Sequence, residues 1–174
     1  MKLQFRLFRI MVAAFMRQRN FELKDTSILW FILMPWDCVL TRAGNDRYHS
    51  FMDLGRIDIA IRFGLWKTIF KPNWKPFVIS VHIRYNESLK MFQRFSLRTR
   101  VIYWDSHFIW IEHVFERKGK TIATAISKNV AIGKGGIVRT SLIFRPFIRD
   151  LQSPLQEKVI TLVNAMDGIL RNIL

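Results

Sequence analysis

The stretch NDRYHSFMDLGRID, residues 45–58, carries the pattern that decides the fold. Asn45 is a residue type that caps helices well, and the charge of Asp46 suits the positive end of a helix dipole. The pattern predicts a helix to about residue 62. Its apolar side chains lie on two faces: Tyr48, Phe51, Met52, Gly55 and Ile59 on one, and Leu54, Ile57 and Ile61 on the other. Because this helix is apolar over most of its circumference, we expect it to be buried.

The segments on either side of this helix predict strands. Residues 28–36 are a continuous apolar run closed by Pro35, as in a buried strand. After Gly64, which is expected to end the helix, a loop leads to residues 77–85 and 95–103, where apolar and polar residues alternate. This period of two predicts half-buried antiparallel strands.

Two more strands and a terminal helix complete the order helix, strand, helix, four strands, helix. Apolar residues alternate again over 109–115, and the chain then turns into 122–127. One face of that strand is small enough for close packing on the helix: Ala123, Ala125 and Ser127. Residues 133–136 are rich in glycine and predict a flexible connection, and residues 155–174 predict a C-terminal helix.

Residues 1–19 are basic and contain no acidic residue. Apolar residues recur there at helical spacing and predict an amphipathic helix: Leu3, Leu7, Ile10, Met11, Ala14 and Phe15. The apolar run of residues 10–16 is far shorter than the ~20 residues of a membrane span, and no secretion signal is expected. Two roles remain open: docking on the protein's own domain or a dimer mate, and peripheral contact with an anionic membrane.

Composition narrows the class of protein and of ligand. With 174 residues, half of them hydrophobic, the chain is expected to fold as one compact domain. Its net charge of +15 attracts polyanions, although no motif supports nucleic acid as a partner. The lone Cys38 excludes an intramolecular disulfide and a cysteine-based zinc cluster, and the four histidines lack ligand spacing. We therefore expect a cytoplasmic protein without metal or cofactor.

The helix start resembles a known family. Residues 45–48 (Asn-Asp-Arg-Tyr) and 51–58 are similar to the motif His-Met-Asn-Asn-x-Arg-Tyr, then Met-Asp-x-x-Arg, of 4-hydroxybenzoyl-CoA-thioesterase-like proteins. The resemblance implies an α+β hotdog fold, a curved antiparallel sheet wrapped around a central helix, here with extra N- and C-terminal helices. It divides the chain into a helix and linker (1–25), a hotdog thioesterase-like domain (26–132) and a C-terminal extension (133–174).

The chain departs from this family just before the helix. Arg42 stands where the motif has His, and Gly44 stands where it has the first Asn. The family's acidic pair, Asp-x-Asp, is reduced to Asp37. When Asp37 is aligned with the first acid, the second and usually catalytic acid has become Val39.

The resemblance implies thioester hydrolysis, which needs a carboxylate and donors for the developing oxyanion. Asp37 is the candidate catalytic carboxylate, and the N–H groups of Asp46, Arg47 and Tyr48 are candidate donors to the carbonyl oxygen. Asn45 would shape this turn, and the Tyr48 side chain would line the pocket. The plainer interpretation of Asp37 is a residue that caps a loop.

Asp53 on the central helix is the alternative acid, because some hotdog thioesterases use an acid there. Arg56 follows three residues later, so an ion pair explains both residues more simply. On one predicted strand Arg94, Arg98 and Arg100 share a polar face, where they could meet coenzyme A phosphates or keep the sheet face hydrated.

The predicted function is that of an acyl-CoA thioesterase-like protein that hydrolyses or binds an acyl thioester. A homodimer or dimer of dimers is expected, because hotdog sheets commonly join edge to edge. The alternative is a non-catalytic acyl-CoA-binding or interaction module of the same fold. A carboxylate beside the helix N-terminus would favour the enzyme, and a valine there would favour the module.

Overall fold

The computed structural model describes residues 2–16, 25–65 and 74–144, together with residues 161 and 165. The helices are α1 (Lys2–Met16), α2 (Asn45–Arg62) and α3 (Thr140–Ile143), and a 3-10 turn spans Pro35–Asp37. The strands are β1 (Ser27–Ile32), β2 (Cys38–Val39), β3 (Arg42–Ala43), β4 (Lys75–Tyr85), β5 (Arg94–Trp104), β6 (Ile109–Arg117), β7 (Lys120–Gly133) and β8 (Gly136–Ile137).

An antiparallel six-stranded sheet curves around α2. The strand order is β1-β5-β6-β7-β4, with β8 beside β7, and β2 pairs with β3 in a separate ribbon. The predicted α+β hotdog architecture, with a buried central helix, is therefore confirmed.

The ends of α2 follow from two glycines. Gly44 has the extended backbone of an N-cap (φ −68°, ψ 151°) and Asn45 is the first helical residue, so the prediction of Asn45 as the cap is wrong by one position. Gly64 has a φ of 68°, and the N–H groups of Gly64 and Leu65 donate to carbonyls in the last turn. This Schellman arrangement favours glycine, which lacks the Cβ that makes positive φ costly.

Gly55 lets α2 approach β5. An ideal Cβ at this position would clash with Oγ1 of Thr99 and would lie 3.2 Å from a methyl group of Leu97. Ala123 and Ala125 are buried in the same apolar cluster as residues of α2. The tight contact between α2 and β5, however, depends on Gly55, a small residue of the helix itself.

We expect Gly55→Ala to lower the free energy of unfolding by about 1–2 kcal/mol. Overpacking costs about 1–3 kcal/mol, which exceeds the gain of about 1 kcal/mol from placing Ala instead of Gly in a helix. Gly135→Ala is the matched control, because an added Cβ there meets nothing within 4 Å. Urea denaturation of both variants measures the difference, and equal midpoints would contradict the close contact.

The two edge strands differ from their predictions. β1 ends at Ile32 and buries only alternate residues, including Leu29 and Phe31, so the predicted continuous buried strand over 28–36 is wrong. The reason is its edge position, with β5 as its partner and one face turned outward. β4 has a bulge between Val78 and Ser80, and no residue within Lys75–Tyr85 is fully buried.

Helix α1 docks on the domain. Ile10 and Ala14 are buried, Ile10 within the main apolar cluster, and Leu7 packs against that cluster. Phe15 was predicted on the docked face, but its side chain is largely exposed. Within the described residues, no helix is long and apolar enough to cross a membrane.

The C-terminal part has more regular structure than predicted. Strand β8 pairs with the end of β7, so residues 133–136 form the turn of a hairpin rather than a flexible connection. The predicted helix over 155–174 lies outside the described residues except for positions 161 and 165, and both of these are helical.

Candidate functional site

The start of α2 offers fewer free donors than the sequence suggested. The N–H of Arg47 donates to the carbonyl oxygen of Gly44 at 3.0 Å, so it is already engaged. Asn45 and Asp46 are exposed, and the carboxylate of Asp46 lies 3.1 Å from the guanidinium of Arg47. Arg42 is also exposed, on β3. A carbonyl oxygen at this helix end would therefore compete with existing contacts.

Tyr48 belongs to the core. Its ring lies edge-on to the rings of Tyr85 and Phe115, each with a centroid distance of 5.0 Å. Its hydroxyl accepts a 3.5 Å hydrogen bond from the N–H of Leu89, and burial raises the pKa of Tyr48. The side chain packs the interior between α2 and the sheet, and we assign it no substrate contact.

Asp37 is buried, and its carboxylate is engaged in hydrogen bonds. Its Oδ2 atom accepts hydrogen bonds from Nη2 of Arg6 at 2.7 Å and from the N–H of Met34 at 3.0 Å. The residue is only 4% exposed, and Arg6 also donates to the carbonyl of Ile32. Asp37 thus closes the 3-10 turn and anchors α1. Its own carbonyl accepts the N–H of Gly44, the N-cap of α2, at 3.4 Å.

Val39 lies next to the start of α2. A Cβ placed on Gly44 would come within 3.1 Å of a Val39 methyl group. In the alignment that matches Asp37 to the family's first acid, the place of the second acid is thus taken by an apolar side chain within contact distance of the helix N-terminus. A valine beside the helix N-terminus favours a non-catalytic binding module over an enzyme.

An apolar cavity of about 260 Å³ lies along the second half of α2. Its walls come from α2, from strands β4, β5, β6 and β7, and from α3, and they include Ile57, Ala60, Phe63, Val78, Val101, Ile111 and Phe144. Among the described residues, three polar ones contribute to its lining: Asp53, Arg56 and Asn129. Asp37 and Tyr48 are not among the described residues that line it.

Asp53 is the accessible carboxylate of this cavity. The residue carries an ion pair with Arg56, as predicted, and its side chain is 59% exposed while that of Arg56 is 14% exposed. Asp53 therefore lines the cavity with a side chain that solvent can reach, and the cation beside it is largely shielded. The i, i+4 pair of Asp58 and Arg62 also forms, at 3.8 Å, and Asp58 accepts a hydrogen bond from Ser27.

A cluster of buried polar side chains contacts Arg56. His113 is fully buried, with Nδ1 at 3.3 Å from Oγ1 of Thr99 and Nε2 at 3.2 Å from Oγ of Ser127. Arg56 Nη1 lies 3.5 Å from the same Nε2, and Asn129 donates to Oγ of Ser127 at 2.9 Å. On β6, His113 occupies the same period-two positions as Ile109, Ile111 and Phe115, and this pattern indicates that it is buried.

Burial, reinforced by the nearby Arg56 guanidinium, lowers the pKa of His113 well below its ordinary value of about 6.5. The folded protein then binds this proton less readily than the unfolded chain. Stability should consequently fall as the pH drops below about 6.5, by at most about 1.4 kcal/mol per pH unit from this group.

We expect His113→Gln to flatten this pH dependence between pH 7 and 5, because glutamine does not titrate there. His82→Gln on the half-buried β4 is the matched control and should keep the wild-type slope. Chemical denaturation at a series of pH values measures both. A slope in His113→Gln as steep as in the wild type would contradict the assignment.

The arginines of β5 are paired within the sheet. Arg98 contacts Glu116 on the adjacent β6 at 3.0 Å, and Arg100 contacts Glu112 at 2.6 Å. Arg94 lies over the ring of Trp30, 4.8 Å from its centroid. These contacts favour a hydrated sheet face over a phosphate-binding surface.

A curved antiparallel sheet around one buried helix, with a cavity along that helix, is the hotdog fold. The family model described as the thioesterase-like superfamily matches residues 36–151, which is more than half of the chain. The chain belongs to this superfamily.

Individual relatives are distant. Protein THEM6 of Xenopus laevis is 29% identical over 85 residues, 48% of this chain and 41% of that protein. Protein THEM6 of Drosophila melanogaster is 22% identical over 128 residues, 72% of this chain and 64% of that protein. The chain thus spans about half the length of these curated relatives. The DHNA-CoA thioesterase of Staphylococcus aureus superposes with a TM-score of 0.64 at 14% identity, over 82% of this chain and 93% of that one, a likeness of fold alone.

Proposed function

We propose that this protein is an acyl-CoA thioesterase that places the acyl group in the cavity along α2 and presents Asp53 to the thioester carbonyl. The observation that carries the proposal is the accessible carboxylate of Asp53 beside the apolar cavity, paired with Arg56. Membership of the thioesterase-like superfamily supports acyl-CoA as the substrate class.

The size of the cavity limits the acyl group. Its volume of about 260 Å³ lies just below the roughly 300–1,000 Å³ of ordinary ligand pockets. Its lining is largely aliphatic and aromatic. We therefore favour a short aliphatic acyl chain or a single aromatic ring over a long fatty acyl chain.

In the proposed reaction, Asp53 takes a proton from a water molecule, and the resulting hydroxide adds to the thioester carbonyl carbon. The carbonyl oxygen becomes an oxyanion, and the guanidinium of Arg56, another lining residue of the cavity, stabilises it. The C–S bond then breaks, coenzyme A leaves as its thiolate, and the proton held by Asp53 neutralises that thiolate. The products are a carboxylic acid and free coenzyme A.

Asp37 is the second candidate acid. Two donors already bind its Oδ2 atom, and the residue is buried, so Arg6 would have to withdraw before the carboxylate could act on a substrate. The same contact, together with Val39 at the start of α2, favours the alternative function, a non-catalytic acyl-CoA-binding module.

The test is release of free thiol from a panel of acetyl-, hexanoyl-, benzoyl- and palmitoyl-CoA, with calorimetric binding measured in parallel. We expect hydrolysis of hexanoyl- or benzoyl-CoA in preference to palmitoyl-CoA. Ala60→Phe, which fills the cavity, should abolish binding of the preferred substrate, whereas Thr121→Phe on the exposed start of β7 should not. Binding of these thioesters without thiol release would favour the module over the enzyme.

We also propose that two copies associate through the edge of β4 opposite β7, which has no strand partner among the described residues. This strand ends the sheet, and Phe77 and Ile79 project from it with largely exposed side chains. Light scattering should then give the mass of a dimer, and Phe77→Asp/Ile79→Asp should give a monomer.

A further inference from the structure

Helix α1 has two apolar stripes on opposite sides. The inner stripe of Leu7, Ile10 and Ala14 packs on the domain. A second stripe is largely exposed: Phe5 (63%), Phe8 (65%), Val12 (45%) and Met16 (82%). At about 100° per residue, these four positions fall within an arc of about 80°, centred about 180° from the inner stripe. Large apolar side chains concentrated on one exposed face indicate an interaction surface.

The contacts that Arg6 makes with the domain do not involve the residues of the outer stripe. Arg6 forms its ion pair with Asp37 at 2.7 Å and donates to the carbonyl of Ile32 at 3.2 Å. Its guanidinium also lies 5.3 Å from the ring centroid of Phe51 on α2. Because these contacts hold α1 on the domain, the outer stripe can bind a partner without the helix leaving its place.

The charge around the outer stripe favours an anionic partner. Arg9 is exposed and lies at the margin of the stripe, one residue after Phe8. Residues 1–19 contain five basic residues and no acidic one, and the whole chain has a net charge of +15. An apolar stripe with phenylalanines and an exposed arginine at its margin, on a basic segment, is typical of helices that lie in the interface of an anionic membrane.

We propose that the protein docks peripherally on anionic phospholipid membranes through the outer stripe of α1, while the inner stripe stays packed on the hotdog domain. Phe5 and Phe8 enter the boundary between headgroups and acyl chains, and Arg9 contacts lipid phosphates. The docking is independent of the reaction proposed for the cavity, which uses residues of α2 and not of α1.

The experiment is co-sedimentation of the full chain with phosphatidylcholine vesicles that contain phosphatidylserine, compared with pure phosphatidylcholine vesicles. We expect binding to the anionic vesicles that weakens as salt is raised, since the electrostatic part is screened. Phe5→Ser/Phe8→Ser should weaken the partition ~10-fold or more, because each phenylalanine loses its burial in the membrane. The matched control is Ile137→Ser/Leu142→Ser, which removes two exposed apolar side chains from another region and should bind as the wild type does.

Three results would overturn the proposal. One is the absence of any difference between anionic and neutral vesicles. Another is equal loss of binding in the two double variants. The last is a fall in oligomeric mass of Phe5→Ser/Phe8→Ser without a change in vesicle binding, which would make the outer stripe a contact between copies. Thermal unfolding of both variants checks that the fold is retained, as expected for exposed positions.

Discussion

Asp53→Asn should lower the kcat of acyl-CoA hydrolysis by ~100-fold or more while leaving substrate affinity nearly unchanged. An amide has nearly the same shape as the carboxylate but cannot take a proton from water. The apolar cavity that binds the acyl group is untouched, so the loss falls on kcat rather than KM. Steady-state thiol release with the preferred acyl-CoA measures both constants.

Asp37→Asn distinguishes the two candidate acids. If Asp53 acts on the substrate, Asp37→Asn should keep most of the turnover, because its carboxylate is buried against Arg6 and Met34. A large loss of kcat in Asp37→Asn, with wild-type kcat in Asp53→Asn, would move the reaction to the start of α2. If kcat fell in neither variant, neither Asp53 nor Asp37 would be the catalytic carboxylate.

Arg6→Met is expected to lower the free energy of unfolding by about 3 kcal/mol, because it leaves the carboxylate of Asp37 buried without its cation. Methionine keeps much of the side-chain length against Phe51, so the lost charge dominates the effect. Arg9→Met is the matched control on the same helix, since Arg9 is exposed and its removal should change stability by less than about 0.5 kcal/mol.

A double variant isolates the ion pair. Adding Asp37→Asn to Arg6→Met removes the unpaired buried charge and should recover part of the lost stability. Denaturation midpoints of the single and double variants give the coupling energy. Strictly additive losses would show that Arg6 stabilises the fold through packing alone. Activity adds a second readout: if Asp37 were the catalytic acid, Arg6→Met would raise turnover by freeing it.

The parts of the fold that the sequence predicts well depend on local patterns. The helix over 45–62 is predictable because its apolar positions lie within eighteen consecutive residues. The alternation of β5 and β6 was visible for the same reason. Errors arose where position in the sheet decides, as in β1, whose edge location leaves Ile28 and Trp30 exposed.

The candidate site was less predictable because its contacts are distant in sequence. Arg6 reaches Asp37 across 31 residues, and no spacing rule relates a residue of α1 to the turn before α2. The cavity likewise requires the packing of α2, four strands and α3 to be known. Asp53 could be named from its place on the central helix, but its position beside a cavity could not.

The strand order has a consequence for amide hydrogen exchange. β6 is paired on both sides, so its exchange requires opening of the sheet and should be among the slowest in the protein. Within the part of the chain that the structure describes, β4 pairs only with β7, and in an edge strand every second N–H points away from its neighbour. Those outward amides should exchange rapidly in a monomer and become protected where a second sheet pairs with them. Deuterium uptake along β4, followed against protein concentration, would therefore report assembly residue by residue.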